Sequence, residues 1–144
     1  MTDGQLPVSL RLAIDALMDG IPQSALQGAS DHLSSAYRCD AGRSGAIRSS
    51  FDRLAYIATR LPATFSATKA ALGELRYRCP DLKAESLLEL GAGPATGLWA
   101  AHAVFSELVS ATHIETDHDT VELGQQLLRA VSYTHLTLPT NREV

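Results

Sequence analysis

The residues of this chain whose types and spacing could do chemistry cluster in one stretch, "SLLELGAGPATGLWAA", from Ser86 to Ala101. A short apolar run carries Glu89 near its end, and Gly91 and Gly93 follow. Glycines at such a place let the chain turn sharply from a strand into a helix and let a ligand touch the backbone. The helix beyond offers free N–H groups and a partial positive charge, which suits a phosphate or a carboxylate. The dinucleotide fingerprint requires G-x-G-x-x-G. Here the third glycine place holds Thr96, and Gly97 comes one residue late. Glu89, two residues before Gly91, would repel a pyrophosphate and attract a cation such as an ammonium group. The pattern therefore favours a ligand with both an amine and a carboxylate, S-adenosylmethionine, over a tight turn that binds nothing. A second acid is expected about 20 residues on, at the tip of the next strand, to bind ribose hydroxyls. Glu115 occupies that place, with Asp117 as the substitute. The candidate cofactor-binding set is Glu89, Gly91, Gly93 and Glu115.

The elements that must position these residues follow from apolar spacing. "SLLEL" is short, apolar and bounded by turn residues, as a buried parallel strand should be. "PATGLWAAHAVFSEL" reads as a helix, with Trp99 in the core. "SATHIET" reads as a second strand and "DHDTVELGQQLLRA" as a second helix. Strand, glycine turn, helix, strand, helix opens a doubly wound α/β fold. The preceding 80 residues read as helical. Pro7 opens a first helix with Leu10, Ile14 and Leu17 on one face and Gly20 as its stop. Leu26, Leu33 and Tyr37 suit a second, and "CDAGRSGA" from Cys39 to Ala46 is a polar loop. Ile47, Phe51, Leu54 and Ala58 recur at helical spacing. The pattern breaks at Pro62, resumes as a helix to about Tyr77, and closes at Pro80 and Asp81.

Composition bounds the rest. The chain has 144 residues, 45% hydrophobic, with a net charge of −4, as a single globular domain with a small core should. It contains no apolar run of about 18 residues, so no membrane partner is expected. No secretory signal is visible, and a cytoplasmic location is the expectation. Cys39 and Cys79 form no paired motif, and His102, His113 and His118 have no metal spacing, so no metal site is expected. The net charge hides an asymmetry. Between His32 and Lys83 nine basic residues face four acids, whereas Glu85 to Glu122 holds seven acids and neither lysine nor arginine. Arginine suits phosphate because its planar fork donates two hydrogen bonds. Arg43, Arg48 and Arg53 are the candidate RNA contacts, against the plainer reading that they are solvated helix faces.

Three stretches carry a family likeness. "LSSAYR" (Leu33 to Arg38), "AYIATRLPATFSA" (Ala55 to Ala67, with Tyr56, Arg60, Pro62, Ala63 and Thr64) and "LLELGAGPATGLWAA" resemble bacterial members of the methyltransferase-like family associated with the mitochondrial ribosomal small subunit. The likeness spans about Leu6 to Ala130. It implies a helical region (1–80) followed by the first part of a Rossmann-like class I methyltransferase domain (81–130), α/β with its sheet incomplete. It also implies a role in small-subunit ribosomal RNA maturation or ribosome assembly, with that RNA or a ribosome precursor as partner. Two departures stand out. Ala95 lies where the family usually has glycine. The family's later cysteine cluster, which binds an iron–sulfur centre in relatives, has no counterpart, so such a cluster would belong only to sequence beyond residue 144.

Methyl transfer is a direct displacement at a sulfonium carbon, in which holding donor and acceptor in line dominates. Residues that select the acceptor should follow a fourth strand, so no catalytic residue is named. The alternatives are a non-catalytic RNA- or ribosome-binding assembly factor, and a nucleotide-dependent oxidoreductase, against which Glu89 argues. The final "VSYTHLTLPTNREV" shifts to a Thr-rich composition and resembles a translated sequencing-adaptor string. Residues 131–144 are therefore expected to be non-native, and the truncated chain to be inactive.

Overall fold

The computed structural model describes residues 5–38, 47 and 49–131. The expected polar loop at Cys39–Ala46 and nearly all of the expected extraneous tail lie outside the described residues.

The helical region begins with α1 (Val8–Met18), which Pro7 opens and which buries Leu10 and Ile14, two of its three expected core positions. Pro7 suits this place because its φ is already near helical and a helix start leaves its N–H unneeded. Helix α2 (Gln23–Arg38) buries Ala29 and Leu33, while Tyr37 is exposed. The short α3 (Ser50–Ala55) is held by a capping box. The Ser49 hydroxyl accepts the Asp52 N–H, and the Asp52 carboxylate accepts the Ser49 N–H. This satisfies two helix-end donors that six residues of helix would otherwise leave open.

Two expectations for this region are corrected. Phe51 was placed on an apolar helix face, yet it is exposed, and the buried residues of α3 are Asp52 and Ala55. Asp52 meets His32 Nδ1 at 3.1 Å, so this side of α3 faces α2 and Phe51 faces outward. Nor does the chain break at Pro62. A π-helical turn, Tyr56–Arg60, joins α3 to α4 (Leu61–Arg78) without interruption. Proline in a helix removes one N–H and its ring crowds the carbonyl four residues back. The wider turn, in which the Leu61 N–H reaches back to the Tyr56 carbonyl, places Pro62 at the start of the next helix, where neither penalty applies.

The second region is β1 (Ser86–Leu90), α5 (Thr96–Val104), β2 (Ser110–Ile114) and α6 (His118–Ala130). The strands pair parallel, with Glu89 opposite His113 and Leu90 opposite Ile114. This is the opening β-α-β unit of a Rossmann-like fold, and its sheet of two strands is incomplete among the described residues. Helix α5 ends sooner than its apolar pattern suggested, because Phe105 leaves the helix to enter the core.

One core joins both regions. Leu10, Ile14, Ile57, Leu61 and Phe65 from the helical part pack with Leu98, Trp99, Phe105, Leu127 and Leu128 from the α/β part. Trp99 is buried, as its position on the helix suggested. The other face of the sheet is open: Leu88 is 63% exposed, Leu90 69% and Ile114 38%. The two faces should therefore respond differently to substitution. Trp99→Ala is expected to lower the unfolding free energy by about 3–5 kcal/mol through cavity formation. Leu88→Ser should change it by no more than about 0.5 kcal/mol. Urea denaturation of both variants checks this, and comparable losses would mean that the sheet face is wrongly assigned.

Candidate functional site

The glycine turn runs from the end of β1 to the start of α5. Gly91 and Gly93 have φ of +65° and +54°, and a Cβ at either would meet nothing within 4 Å. Their need for glycine is thus conformational, and their surfaces are open to an approaching ligand. Ala95, between the turn and the helix, also adopts the left-handed conformation, with φ +63° and ψ +38°. An L side chain at this position is strained by roughly 1–2 kcal/mol. Its methyl group is buried in the shared core, which offsets part of that strain.

Ala95 cannot cap the helix that it precedes, and Glu89 does so from the adjoining strand. Its Oε1 accepts the Gly97 N–H at 2.8 Å. A negative charge there complements the partial positive charge of the helix start. Its Oε2 lies 3.1 Å from His113 Nδ1, the residue directly opposite in the ladder. The close approach explains Gly97. A Cβ at that position would lie 2.8 Å from Glu89 Cδ and nearer still to Oε1. Gly97 is thus a functional glycine that the fingerprint comparison passed over. His113, considered from the sequence only for metal spacing, is the partner of the first acid. Its Nε2 is buried and makes no hydrogen bond.

Glu115, just past β2, closes the turn from the other side. Its Oε2 accepts the Gly93 N–H at 2.8 Å, and its Oε1 accepts the N–H groups of Thr116 at 2.7 Å and Asp117 at 3.0 Å. The ladder itself continues into the turn, with the Gly91 and Ala92 N–H groups both donating to the Ile114 carbonyl. The predicted acids therefore flank one glycine turn, each already holding a backbone N–H of it. Helix α6 lies against the same turn. A Cβ at Gly124 would come within 3.0 Å of Pro94 Cα, a constraint that no motif announces. Thr96, at the first position of α5, is 4% exposed, and its hydroxyl is buried without a hydrogen-bond partner.

Asp117 was the substitute for Glu115. It takes a different part, as the partner of Arg53. Arg53 Nε and Nη2 donate to its two oxygens at 2.9 and 2.8 Å, and Nη2 also lies 3.1 Å from Asp119. These bonds from the guanidinium hold the Asp117 carboxyl below the usual carboxylate range, with help from the Thr120 hydroxyl. The hydrogen bond from Arg53 to Asp117 likewise raises the arginine's pKa. Arg53, named above as an RNA contact, is thus 14% exposed and engaged within the chain. Arg43 and Arg48 lie outside the described residues.

The two helical stretches of the family likeness meet each other. Arg60 donates to the Ser34 hydroxyl at 3.2 Å and sits 5.3 Å from the centre of the Tyr37 ring. Tyr56 is half-buried, and that burial raises its phenol pKa. The Tyr-x-x-x-Arg-x-Pro-Ala-Thr segment is thus the joint between α2, the π turn and α4.

Residues 50–143 match the family described as "Mitochondrial small ribosomal subunit Rsm22". The match includes α3, the glycine turn and both strands, and continues through the segment expected to be extraneous. A human protein named "Ribosome assembly protein METTL17, mitochondrial" is 35% identical over 54 residues, or 38% of this chain. The aligned stretch spans 12% of that relative's length.

The Glu89–Gly97 contact generates a direct test. Gly97→Ala should destabilise the protein by about 1–3 kcal/mol, because the carboxylate must release its hydrogen bonds. In a Glu89→Ala background the same change should be neutral or stabilising, since only the helix propensity gain of up to about 1 kcal/mol remains. A double-mutant cycle by chemical denaturation measures this. Equal costs in the two backgrounds would show that Gly97 and Glu89 do not meet.

Proposed function

Because this chain belongs to the Rsm22 family, we propose that it acts in assembly of the small ribosomal subunit and binds S-adenosylmethionine at the glycine turn. One observation carries the cofactor reading: Glu89 on β1 and Glu115 just past the neighbouring parallel strand flank a turn whose two glycines have nothing within 4 Å of a Cβ position. The residues fit the ligand. Glu89 would orient the methionine amine, and Gly91 and Gly93 would present backbone to the methionine portion. Glu115 would receive the ribose hydroxyls beside the N–H groups that it already holds. When bound, the cofactor supplies an electrophilic methyl group. The protein's contribution is to hold it in place and in line. A negative charge at the start of α5 also disfavours a pyrophosphate there, which sets this site apart from a dinucleotide turn.

A second reading, a binding factor without methyl transfer, draws on Ala95. Its backbone is left-handed and its methyl group is buried in the core beneath the turn, so the turn is held in one conformation by packing as well as by glycine. Calorimetric titration of S-adenosylmethionine into the protein separates the readings. Saturable binding is expected, weakened by about 1–3 kcal/mol in Glu115→Ala through loss of a hydrogen bond to a buried hydroxyl. No heat of binding in the wild type would remove the cofactor. Unchanged affinity in the variant would remove Glu115 from the site.

The proposed macromolecular partner is small-subunit ribosomal RNA or a ribosome precursor, met in the cytoplasm. Support comes from the basic stretch between His32 and Lys83 and from the printed name of the human relative. Since Arg53 is engaged within the chain, the phosphate contacts are assigned to Arg43 and Arg48. Changing both to glutamine should weaken binding to small-subunit RNA and lower the slope of log affinity against log salt by up to about 2. Titration at several salt concentrations reads this. An unaltered slope would put the RNA surface elsewhere.

A further inference from the structure

We infer that Arg53 is the positioning residue of the ribose side of the cofactor site, although it lies in the helical region and outside every glycine-turn motif. The inference rests on the S-adenosylmethionine reading above and adds to it the part of the protein that holds the second acid in place.

The geometry forms a continuous chain of contacts. Arg53, on α3, grips Asp117 with a two-point fork and reaches Asp119 as well. Asp117 immediately precedes α6, and its N–H is one of those that Glu115 Oε1 accepts. The other Glu115 oxygen holds the Gly93 N–H in the glycine turn. Fixing Asp117 thus fixes the Glu115–Thr116–Asp117 segment, and Glu115 in turn fixes Gly93. The fork matters here. Two parallel hydrogen bonds set the plane of the carboxylate as well as its distance, whereas a lysine ammonium would set the distance alone. Three acids within five residues, Glu115, Asp117 and Asp119, would repel one another on so short a segment. A guanidinium between Asp117 and Asp119 offsets part of that repulsion. Thr120 completes the arrangement by donating its hydroxyl to Asp117.

A simple surface ion pair would have none of these consequences. Arg53 is mostly buried, and the contact joins residues 64 apart in sequence. The helical region is therefore a working part of the site and not only a support for it.

The test compares wild type, Arg53→Gln, Arg53→Lys and Asp117→Asn by site-resolved amide hydrogen exchange, with and without S-adenosylmethionine, and by calorimetry. The amide hydrogens of Gly93, Thr116 and Asp117 should exchange about tenfold faster in Arg53→Gln and Asp117→Asn, while those of the β1–β2 ladder keep their protection. Affinity for S-adenosylmethionine should fall by about tenfold in the same variants, and Arg53→Lys should lie between them and the wild type. Unchanged exchange at these three sites overturns the inference. So does faster exchange at these sites with unaltered affinity, which would leave Arg53 structural only. If exchange quickens as expected but the wild type binds no S-adenosylmethionine, Arg53 keeps its positioning part and the ligand reading fails. Should Arg53→Gln lose global protection, the comparison of Asp117→Asn with Arg53→Lys decides, since neither empties a buried position.

Discussion

The α/β region depends on one carboxylate and the space it occupies. Glu89 reaches from the first strand to the start of the helix that follows, and it caps that helix in place of Ala95, whose side chain has no oxygen to offer. The contact forces glycine at position 97 and sets how closely α5 approaches the sheet. It also fixes the register of the second strand, where His113 stands opposite and offers its Nδ1 to the second oxygen. A helix start that already carries a negative charge is a poor phosphate site and a suitable neighbour for a cation. The same contact that builds the turn therefore restricts the chemistry of what the turn receives.

Charge complementarity performs a similar task at longer range. Arg53 meets Asp117 and Asp119, and Arg76 meets Glu107. In each case the arginine belongs to the basic helical half and the acid to the acidic α/β half. The asymmetry that stands out in the sequence is thus partly a statement about docking within one chain. Pairs of this kind contribute modestly to stability when exposed, and their value lies in orientation. The apolar core holds the two regions together, and the ion pairs join α3 and α4 to the α/β part.

The chain's local signals were legible wherever one short segment held the whole cause. The opening of α1 at Pro7, the place of the strand "SLLEL" though not its expected burial, the buried Trp99 and the two acids beside the glycine turn all follow from spacing and residue type. What escaped depended on contacts between distant segments. Phe51 fits an apolar face by periodicity, yet the buried residues of α3 are Asp52 and Ala55, and Asp52 meets His32 of the preceding helix, 20 residues earlier. Gly97 and Gly124 are required by Glu89 and Pro94, neither of which is local in the sense a motif can express. Arg53 looked like a phosphate ligand because composition cannot show that its partners lie 64 residues on. The break expected at Pro62 failed for a different reason: sequence rules weigh proline against an α-helix, and the chain uses a wider turn instead.

That wider turn has a consequence for the geometry of the whole. Each residue of an α-helix advances the direction of its side chain by about 100°. A π turn holds one residue more than the α turn it replaces, so it acts as a phase shift between two helices that share one continuous backbone. On its near side Arg53 faces α6. On its far side Phe65 is aimed into the core against α5. Deleting any one residue between Tyr56 and Arg60 would preserve the length of helix almost unchanged and still rotate one set of contacts out of alignment with the other. The segment behaves as an angular spacer, and its residue count is a stricter requirement than the identity of most residues within it.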